Sequence, residues 1–236
     1  MKRHLFCLVV YLLPSTALAA TFVEDFNSGV FNPNLYLSKN TPTFSLSFSG
    51  GEAVMTRTFG LGNGGLQLST IFHIAGDYTT TVDADRTLLG SGSFGLVVND
   101  AIPTASIATD VYFRPGSLVQ GNIWSLPVFI DDVISDGSSN TATFRLRRVG
   151  TTVYNEVDLG SGFVTLNSRT DPNLDAPVQV SLFLLEEVGA SDDLLGRFDN
   201  WSIEADQFIN FVPEPSSLML AAIALLSVVF VRCRLR

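Results

Sequence analysis

The stretch Thr43-Phe44-Ser45-Leu46-Ser47-Phe48-Ser49 alternates between apolar and hydroxyl side chains. Because successive side chains of a strand point to opposite faces of a sheet, this alternation predicts a strand with one buried and one solvated face. The same period of two recurs along the chain, in residues 66–74, 94–98, 107–113, 123–130, 143–149, 153–159, 178–185 and 197–203. No segment between the termini keeps a helical period, so the body of the chain is predicted to be all-β.

Turn-forming residues separate these strands, as at Gly50-Gly51, Asp136-Gly137 and Asp171-Pro172-Asn173. Roughly a dozen strands in one domain exceed the seven to nine of an immunoglobulin module. The pattern therefore favours a single β-sandwich domain over residues 20–211, built as a jelly roll from two packed antiparallel sheets.

The N-terminus has the three parts of a secretory signal peptide. Two basic residues precede an apolar run over residues 5–13, and Ala17-Leu18-Ala19 has the small-x-small pattern that signal peptidase recognises. Residues 1–19 are therefore predicted to direct export through the Sec machinery and to be removed, which leaves Ala20 as the first residue.

The C-terminus contains Val212-Pro213-Glu214-Pro215, then an apolar segment over residues 218–231, then three arginines, which are Arg232, Arg234 and Arg236. The apolar segment is predicted to be a short transmembrane helix. Its arginines are expected to stay cytoplasmic, because guanidinium groups cross a membrane at high cost. This orientation puts the β-sandwich outside the membrane.

This tail, residues 212–236, resembles the PEP-CTERM sorting signal of bacterial exported proteins. The resemblance implies transient anchoring and processing by the membrane protease exosortase, in a Gram-negative envelope where exopolysaccharide is produced. The alternative is an ordinary C-terminal anchor. In either case the tail describes how the protein travels and leaves its activity open.

The net charge and the cysteine content limit the classes of function that the domain can have. Between the two terminal segments there are nine basic and 22 acidic residues, a net charge of −13. This balance argues against nucleic acid as a partner and makes divalent cations plausible ones. Both cysteines, Cys7 and Cys233, lie in the terminal segments. The domain must therefore be stabilised by core burial, without disulfides.

Two short segments resemble the opening and closing strands of concanavalin A-like lectin/glucanase domains. The first is Phe22-Val23-Glu24-Asp25-Phe26-Asn27-Ser28-Gly29, and the second is Gly196-Arg197-Phe198-Asp199-Asn200-Trp201-Ser202-Ile203. The resemblance implies the fold and, in many such domains, a structural calcium ion. Here the ion would be held by Asp199, Glu24 and the backbone of Gly51, since calcium prefers several oxygen ligands.

The catalytic signature of laminarinase-type enzymes in this superfamily is Glu-x-Asp-x-Glu on one strand. The nearest match is Glu156-Val157-Asp158-Leu159-Gly160-Ser161, in which Gly160 or Ser161 stands where the third carboxyl is needed. Because glycoside hydrolysis needs an acid as well as a second carboxylate, the sequence predicts a domain that is not an enzyme. A divergent glycan hydrolase is the alternative.

Two other patterns are read as structural. His73 is the only histidine outside the signal peptide, so it cannot build a His-rich metal site, and its position between Phe72 and Ile74 in an alternating strand predicts a structural histidine over a catalytic base. Residues 60–65 satisfy a G-x-G-x-x-G string, but a strand pattern follows it where a dinucleotide site needs a helix.

Sugar binding requires exposed rings and polar groups beside them. Trp124 and Tyr154 are candidate stacking residues, and Arg145 and Arg147 share one face of a predicted strand where they could contact an anionic glycan. The sequence therefore predicts an exported, non-catalytic protein of the envelope or extracellular matrix that contacts polysaccharide. A purely structural matrix protein is the third reading.

Overall fold

The computed structural model describes residues 20–39, 41–58, 64–88, 91–100, 107–116, 118–125, 128–135, 139–186 and 193–210. This part of the chain forms strands and one short 3₁₀ helix, Pro172–Asp175, so the all-β prediction is confirmed. The strands are β1 (Ala20–Glu24), β2 (Leu35–Lys39), β3 (Phe44–Ser49), β4 (Glu52–Arg57), β5 (Gly65–Thr70), β6 (His73–Leu88), β7 (Gly92–Asp100), β8 (Ile107–Arg114), β9 (Leu118–Ser125), β10 (Val128–Ser135), β11 (Thr141–Val149), β12 (Thr152–Asp158), β13 (Phe163–Thr170), β14 (Val178–Glu186) and β15 (Leu194–Ile209).

Antiparallel pairing groups these strands into two sheets. The first sheet has the order β10-β9-β8-β7-β14-β5-β2. The second has the order β13-β12-β11-β6-β15, and the far side of β15 pairs with β4 and then with β1, while β3 lies beyond β4. One residue pair, Val178 with Ile74, joins the sheets at an edge. This is the predicted two-sheet jelly-roll architecture.

The long strands β6 and β15 pair along most of their length in the second sheet. Their register shifts between Asp199 and Ser202, and Asn200 adopts a φ of 50° there. Asparagine tolerates this left-handed conformation better than most residues, which suits it to the bulge. Beyond the bulge β15 leaves β4 and pairs with β1, so that Glu24 lies opposite Trp201. The first and last strands of the domain are therefore neighbours.

The core lies between the two sheets and is rich in phenylalanine. Phe113 of the first sheet meets Phe144 of the second edge-on at 5.1 Å between ring centroids. Phe94 and Phe198 stack across the same interface at 4.0 Å. Each such fully buried ring contributes on the order of 1.5–3 kcal/mol of transfer free energy. The packed rings hold the sheets face to face in the absence of disulfides.

Two arginines of the described residues, Arg57 and Arg148, are buried and depart from the predicted pattern of a core made of apolar residues. Arg148 follows Phe144 and Leu146 on the inward face of β11 and is almost completely buried. Its guanidinium donates hydrogen bonds to the main-chain carbonyls of Leu174 at 2.6 Å and Ala176 at 2.9 Å, and to that of Gly76. These carbonyls replace the lost water and tie the 3₁₀ helix to β6.

The predicted signal peptide, residues 1–19, the sorting signal, residues 212–236, and the transmembrane segment, residues 218–231, lie outside the described residues. So do residues 60–63 of the glycine-rich string, although the predicted strand after it is present as β5. None of the described segments is a helix with the length and apolar character needed to span a bilayer.

Candidate functional site

A cleft of about 290 Å³ opens on the outward face of the first sheet. We call it the first-sheet cleft, and it is lined by Ser38, Gly65, Leu66, Gln67, Val97, Asn99, Asp110, Phe183 and Leu185. These residues come from β2, β5, β7, β8 and β14, which are far apart in the sequence. Because directly paired residues of antiparallel strands point to the same face, the register of the sheet decides which side chains meet here.

Three rows of paired residues continue this face across β8, β9 and β10. The rows are Ala108, Trp124 and Phe129; then Asp110, Asn122 and Asp131; then Tyr112, Gln120 and Val133. The intervening residues of β8 and β9, such as Val111 and Ile123, are buried in the core. The period-two alternation therefore sends aromatic and polar side chains outward beside the first-sheet cleft.

Asp110 is the acidic residue in the wall of this cleft. Its Oδ1 atom is buried and has no hydrogen-bond partner in the part of the chain that the structure describes. Burial raises the pKa of Asp110 to about 7, although hydrogen bonding with Asn122 acts in the opposite direction. A carboxyl group with such a pKa is protonated in a substantial fraction of molecules near neutral pH, so it can donate a proton.

A chain of hydrogen bonds fixes the polar side chains next to Asp110. Arg114 donates to Oε1 of Gln120 at 2.7 Å, and Nε2 of Gln120 donates to Oδ1 of Asn122 at 2.7 Å. Nδ2 of Asn122 donates to the Tyr112 hydroxyl at 3.2 Å. The Tyr112 ring in turn packs edge-on against Phe183 at 5.8 Å between centroids. These contacts hold the amides of the face in defined orientations.

Aromatic rings flank the polar rows. Trp124 and Phe129 are directly paired across β9 and β10, and they are 50% and 55% exposed. At the opposite edge of the first sheet, on β2, the Tyr36 ring is 41% exposed, and its hydroxyl donates a hydrogen bond to Gln179 at 3.2 Å. The face therefore combines exposed rings with oriented amides, the two kinds of group that hold a sugar.

The other predicted glycan residues lie on the opposite side of the sandwich. Arg145, Arg147 and Tyr154 project from the outward face of the second sheet. The Arg145 guanidinium lies 3.6 Å from the centroid of the Phe163 ring, and that of Arg147 lies 4.2 Å from the centroid of the Tyr154 ring. Trp124 is on the first sheet, so the four residues do not form one site.

Glu156 is held between these two arginines. Its carboxylate forms an ion pair with Arg145 at 2.6 Å and another with Arg147 at 3.1 Å. Partial burial acts to raise the pKa of Glu156, but the hydrogen bonds from Arg147 and Arg145 outweigh it and lower the pKa. Asp158, two residues on, accepts hydrogen bonds from the Gly160 and Gly162 amides and shapes a turn. Glu156 and Asp158 are thus engaged in structural contacts.

An acidic hollow of about 450 Å³ lies on the second sheet near these residues. Its wall contains one arginine, Arg197, and five carboxylates, which are Glu52, Asp83, Asp85, Asp158 and Asp199. Arg197 pairs with Glu52 at 2.7 Å. The Asn200 amide donates to Asp83 at 2.9 Å and to Asp199 at 3.4 Å, which links two of the carboxylates.

Carboxylate oxygens of the residues predicted to hold calcium already accept hydrogen bonds from other groups of the protein. Asp199 accepts a hydrogen bond from the Asn200 backbone at 2.6 Å. Both oxygens of Glu24 are engaged, by the Phe26 backbone at 2.8 Å and by Asn32 at 2.7 Å. In the described residues no three acidic, histidine or cysteine side chains are grouped so that they could hold a metal ion. The calcium site at Asp199, Glu24 and Gly51 stays a prediction.

His73 begins β6 opposite Ile209 and belongs to the second sheet.

Sequence reasoning missed the residues of the first-sheet cleft. Asp110, Asn122 and Asp131 belong to three separate segments, and no local motif connects them. The alternation over residues 107–113 could have predicted that the Asp110 side chain points outward. The residues beside Asp110 on neighbouring strands could be known only from the strand order.

Comparison with known proteins supports the fold and the sorting signal. Residues 211–234 match the family model for the PEP-CTERM protein-sorting motif. No curated protein matches the chain. Among solved structures, the chain is similar to a prokaryotic β-1,3-1,4-glucanase (lichenase) derived from a mouse hindgut metagenome, with a TM-score of 0.58 and 15% identity over 79% of this chain and 99% of that one.

Two further structures have the same fold. The first is SCLam, a non-specific endo-β-1,3(4)-glucanase from family GH16, with a TM-score of 0.62 and 10% identity over 79% of this chain and 90% of that one. The second is an immunostimulatory antigen and pseudo β-1,3-glucanase of Mycobacterium tuberculosis, with a TM-score of 0.61 and 13% identity over 78% of this chain and 98% of that one. At these identities the likeness shows the fold alone.

The prediction that the domain is not an enzyme is wrong. Several proteins that share its fold are glucanases, including the lichenase and the GH16 enzyme. The residues on which the prediction rested, Glu156 and Asp158, lie on the second sheet. The missing carboxyl at Gly160 or Ser161 therefore has no bearing on the first-sheet cleft. The chain combines a β-sandwich of the concanavalin A-like fold seen in GH16 glucanases with a PEP-CTERM sorting motif at residues 211–234.

Proposed function

We propose that the protein is an exported polysaccharide-binding protein and that the outward face of the first sheet holds the glycan chain. The observation that carries the proposal is the adjacent pair of half-exposed rings, Trp124 and Phe129, in line with the first-sheet cleft. Sugar rings present C–H faces that stack on aromatic side chains. Adjacent exposed rings beside a cleft form the kind of contiguous apolar patch that marks a ligand-binding surface.

The polar rows beside the rings suit the hydroxyl groups of a sugar. Amides can donate and accept at once, as hydroxyls do, so Gln120 and Asn122 can match a sugar whose hydroxyls point either way. Their orientation is already fixed by the chain of hydrogen bonds from Arg114 to Tyr112. A preorganised site loses less conformational entropy when the ligand binds.

The C-terminal motif fits a role outside the cytoplasm. A PEP-CTERM motif implies export, membrane anchoring and then processing by exosortase. We extend this to a life cycle in which signal peptidase cleaves before Ala20, the tail anchors the domain, and exosortase removes residues 212–236. The mature domain then resides in the envelope or extracellular matrix of a Gram-negative bacterium, where exopolysaccharide is its ligand.

Affinity electrophoresis of the full-length protein in gels that contain soluble neutral and acidic polysaccharides tests the binding face. The Trp124→Ala and Phe129→Ala variants are expected to weaken retention about 10- to 150-fold each, since burying one such apolar side chain contributes roughly 1.5–3 kcal/mol. Tyr154→Ala is the matched control, because it removes a ring on the second sheet. Loss of retention in Tyr154→Ala alone would move the site to the second sheet.

A glycan hydrolase that uses the same face is the second candidate function. The observation in its favour is the carboxyl group of Asp110, which lines the first-sheet cleft with a buried, unpartnered oxygen among the described residues. Release of reducing ends from a bound polysaccharide would distinguish this function from binding alone.

A further inference from the structure

The first-sheet cleft contains polar groups whose hydrogen-bonding capacity is not used within the described residues. Oδ1 of Asp110 is buried there without a partner in this part of the chain. The side chains of Ser38, Gln67 and Asn99 line the same cleft, and they make no hydrogen bond with other residues that the structure describes. Polar groups in a cleft are normally paired, so these four groups are available to a ligand.

Apolar side chains form the rest of the wall. Val97 is directly paired with Asp110 and is almost completely buried. Phe183 and Leu185 come from β14, which pairs with β7 on the side away from Asp110. A ligand that enters the cleft therefore meets a carboxyl group, two side-chain amides and alkyl and aromatic surface. A ligand that offered hydroxyl groups alone would leave this apolar surface unmatched.

Asn99 and Asp110 are diagonal neighbours across β7 and β8. Asn99 is paired with Ala108, and Val97 is paired with Asp110. Diagonal neighbours in an antiparallel pair are about 7–8 Å apart on one face of the sheet. Two hydrogen bonds of about 2.9 Å, one at each end of a planar amide group, span a gap of this size. The N–H and C=O of such an amide point in opposite directions, toward an acceptor and a donor.

We propose that the first-sheet cleft recognises an N-acetylated sugar, whose acetamido N–H donates to the carboxyl group of Asp110 and whose acetamido carbonyl accepts from the amide of Asn99. This inference rests on the proposed function, because the sugar is one unit of the glycan on this face. The acetamido methyl group packs against Val97 and Phe183, which removes it from water. The ligand class is therefore a polysaccharide that contains N-acetylhexosamine.

The carboxyl group of Asp110 is able to make this contact. Asp110 is partly exposed as a residue, although its Oδ1 atom is buried. Rotation about the Cβ–Cγ bond of an aspartate is soft, so either oxygen can turn toward the cleft. The group keeps an acceptor oxygen whether or not it is protonated.

Other common sugar substituents match the cleft less well. An O-acetyl ester has the carbonyl and the methyl group but no N–H, so it supplies no donor to Asp110. A free amino group is cationic at neutral pH and would lose hydration beside Val97 and Phe183. A hydroxyl group can donate to Asp110 but has no methyl group for the apolar wall. The acetamido group supplies all three contacts.

The exposed rings are placed to hold a neighbouring sugar of the same chain. Asn99, Ala108 and Trp124 are consecutive members of one row across β7, β8 and β9. Asn99 and Trp124 are two strand spacings apart, which is about 10 Å, and the small side chain of Ala108 lies between them. A sugar stacked on Trp124 is therefore a different unit of the glycan from the N-acetylated sugar in the cleft.

Two tetrasaccharides provide a matched test of this specificity. Tetra-N-acetylchitotetraose and cellotetraose share a β-1,4-linked backbone and differ only in whether C2 carries an acetamido group or a hydroxyl group. Isothermal titration calorimetry of the full-length protein, purified in detergent, measures the dissociation constant of each. We expect the N-acetylated tetramer to bind about 10- to 100-fold more tightly, as follows from two hydrogen bonds and one buried methyl group.

Variants of the cleft separate the acetamido contact from stacking. Asp110→Leu keeps a similar shape but has no acceptor oxygen, and it should reduce the preference for the N-acetylated tetramer about 10-fold. Asp110→Asn keeps an acceptor oxygen and should retain most of the preference. Trp124→Ala should weaken both tetramers equally. Asp132→Leu is the matched control, because Asp132 is exposed on β10 and alternates with Asp131, and it should leave both affinities unchanged.

The outcomes distinguish this inference from the proposed function. Equal affinities for the two tetramers, or an unchanged preference in Asp110→Leu, would overturn acetamido recognition and leave glycan binding intact. Tighter binding of the unacetylated glucosamine tetramer would overturn it in favour of an ion pair with Asp110. Binding of neither tetramer by a protein that other polysaccharides retain in gels would also overturn it. Absence of binding to every glycan would count against both.

Discussion

A carboxyl group on the outward face of a sheet is normally solvated, but Asp110 lies among side chains that shield it from water. Val97 and Asn122 are its neighbours in the row, and Phe183 lines the same cleft. The charged form loses hydration in this setting, and the protonated form is favoured. One residue thereby couples the stability of the fold to pH.

The pH dependence of stability follows from the direction of this shift. Burial raises the pKa of Asp110 from 3.8 to about 7, so the folded protein binds more protons than the unfolded chain between these values. The contribution of Asp110 to stability is therefore full below pH 3.8, falls as pH rises, and is lost above pH 7. Three pKa units correspond to roughly 4 kcal/mol.

Replacement by asparagine should remove this dependence. As pH rises from 3.5 to 7.5, the wild-type protein should lose on the order of 4 kcal/mol of unfolding free energy that Asp110→Asn does not lose. The variant should therefore become more stable relative to wild type by this amount across the range. Urea denaturation of both proteins across this range provides the measurement. A difference between the two that stays constant with pH would mean that Asp110 ionises in the folded protein as it does in the unfolded chain.

At the scale of elements, the two sheets approach closely where β15 crosses β7. Gly196 of β15 packs against the ring of Phe94, and that ring stacks on Phe198. A Cβ atom at position 196 would overlap the Phe94 ring. The glycine is therefore required by the distance between the sheets, and its φ is not in the left-handed region.

Enlarging this residue should destabilise the sandwich. Gly196→Ala is expected to lower the unfolding free energy by about 1–3 kcal/mol, because an overpacked core must displace a ring or shift a strand. The melting temperature by calorimetry is the readout. Glu204→Ala, an exposed site on the same strand, is the control and should stay within about 0.5 kcal/mol of wild type. Equal effects of the two changes would show that the sheets can move apart freely.

The rows of side chains on the first sheet depend on the register of three strands. β8, β9 and β10 follow one another in the chain and pair as consecutive antiparallel strands. A slip of this pairing by one residue would turn Asp110, Asn122 and Asp131 toward the core, so the burial of the opposite face specifies the register. The candidate site therefore depends on strand pairing more than on any single loop.

At the scale of the whole molecule, charge is the dominant global feature. The domain over residues 20–211 has nine basic and 22 acidic residues, and five of the carboxylates line the acidic hollow of the second sheet. Repulsion among like charges destabilises the compact state, and salt screens it over a distance of about 8 Å at physiological ionic strength. The protein should therefore become more stable as salt is added.

This expectation also tests the predicted calcium site. Raising sodium chloride from 10 mM to 150 mM should raise the melting temperature by several degrees, as follows from screening. At matched ionic strength, calcium chloride should raise it further in wild type but not in Asp199→Ala if Asp199 holds the ion. Asp131→Asn is the control for simple removal of a charge. A calcium gain of the same size in all three proteins would be general screening.

The sequence by itself determined the class of fold and the C-terminal sorting motif. The alternation in residues 43–49 is a local property of the chain, because side-chain direction in a strand depends only on its period of two. The tail needs no partner segment to be recognised, and the family match at residues 211–234 confirms it. The first and last strands could be identified because residues 22–29 and 196–203 each carry a short pattern of their own.

Only the tertiary structure decided which side chains share the candidate site. It put Asp110, Asn122 and Asp131 in one row, and it put Glu156 between Arg145 and Arg147 on the other sheet. Both results depend on which strands are neighbours and in which register, and these are set by long-range burial of the apolar faces. A sequence motif records the spacing along one strand, but a cleft is built across several strands, and no local pattern specifies that order.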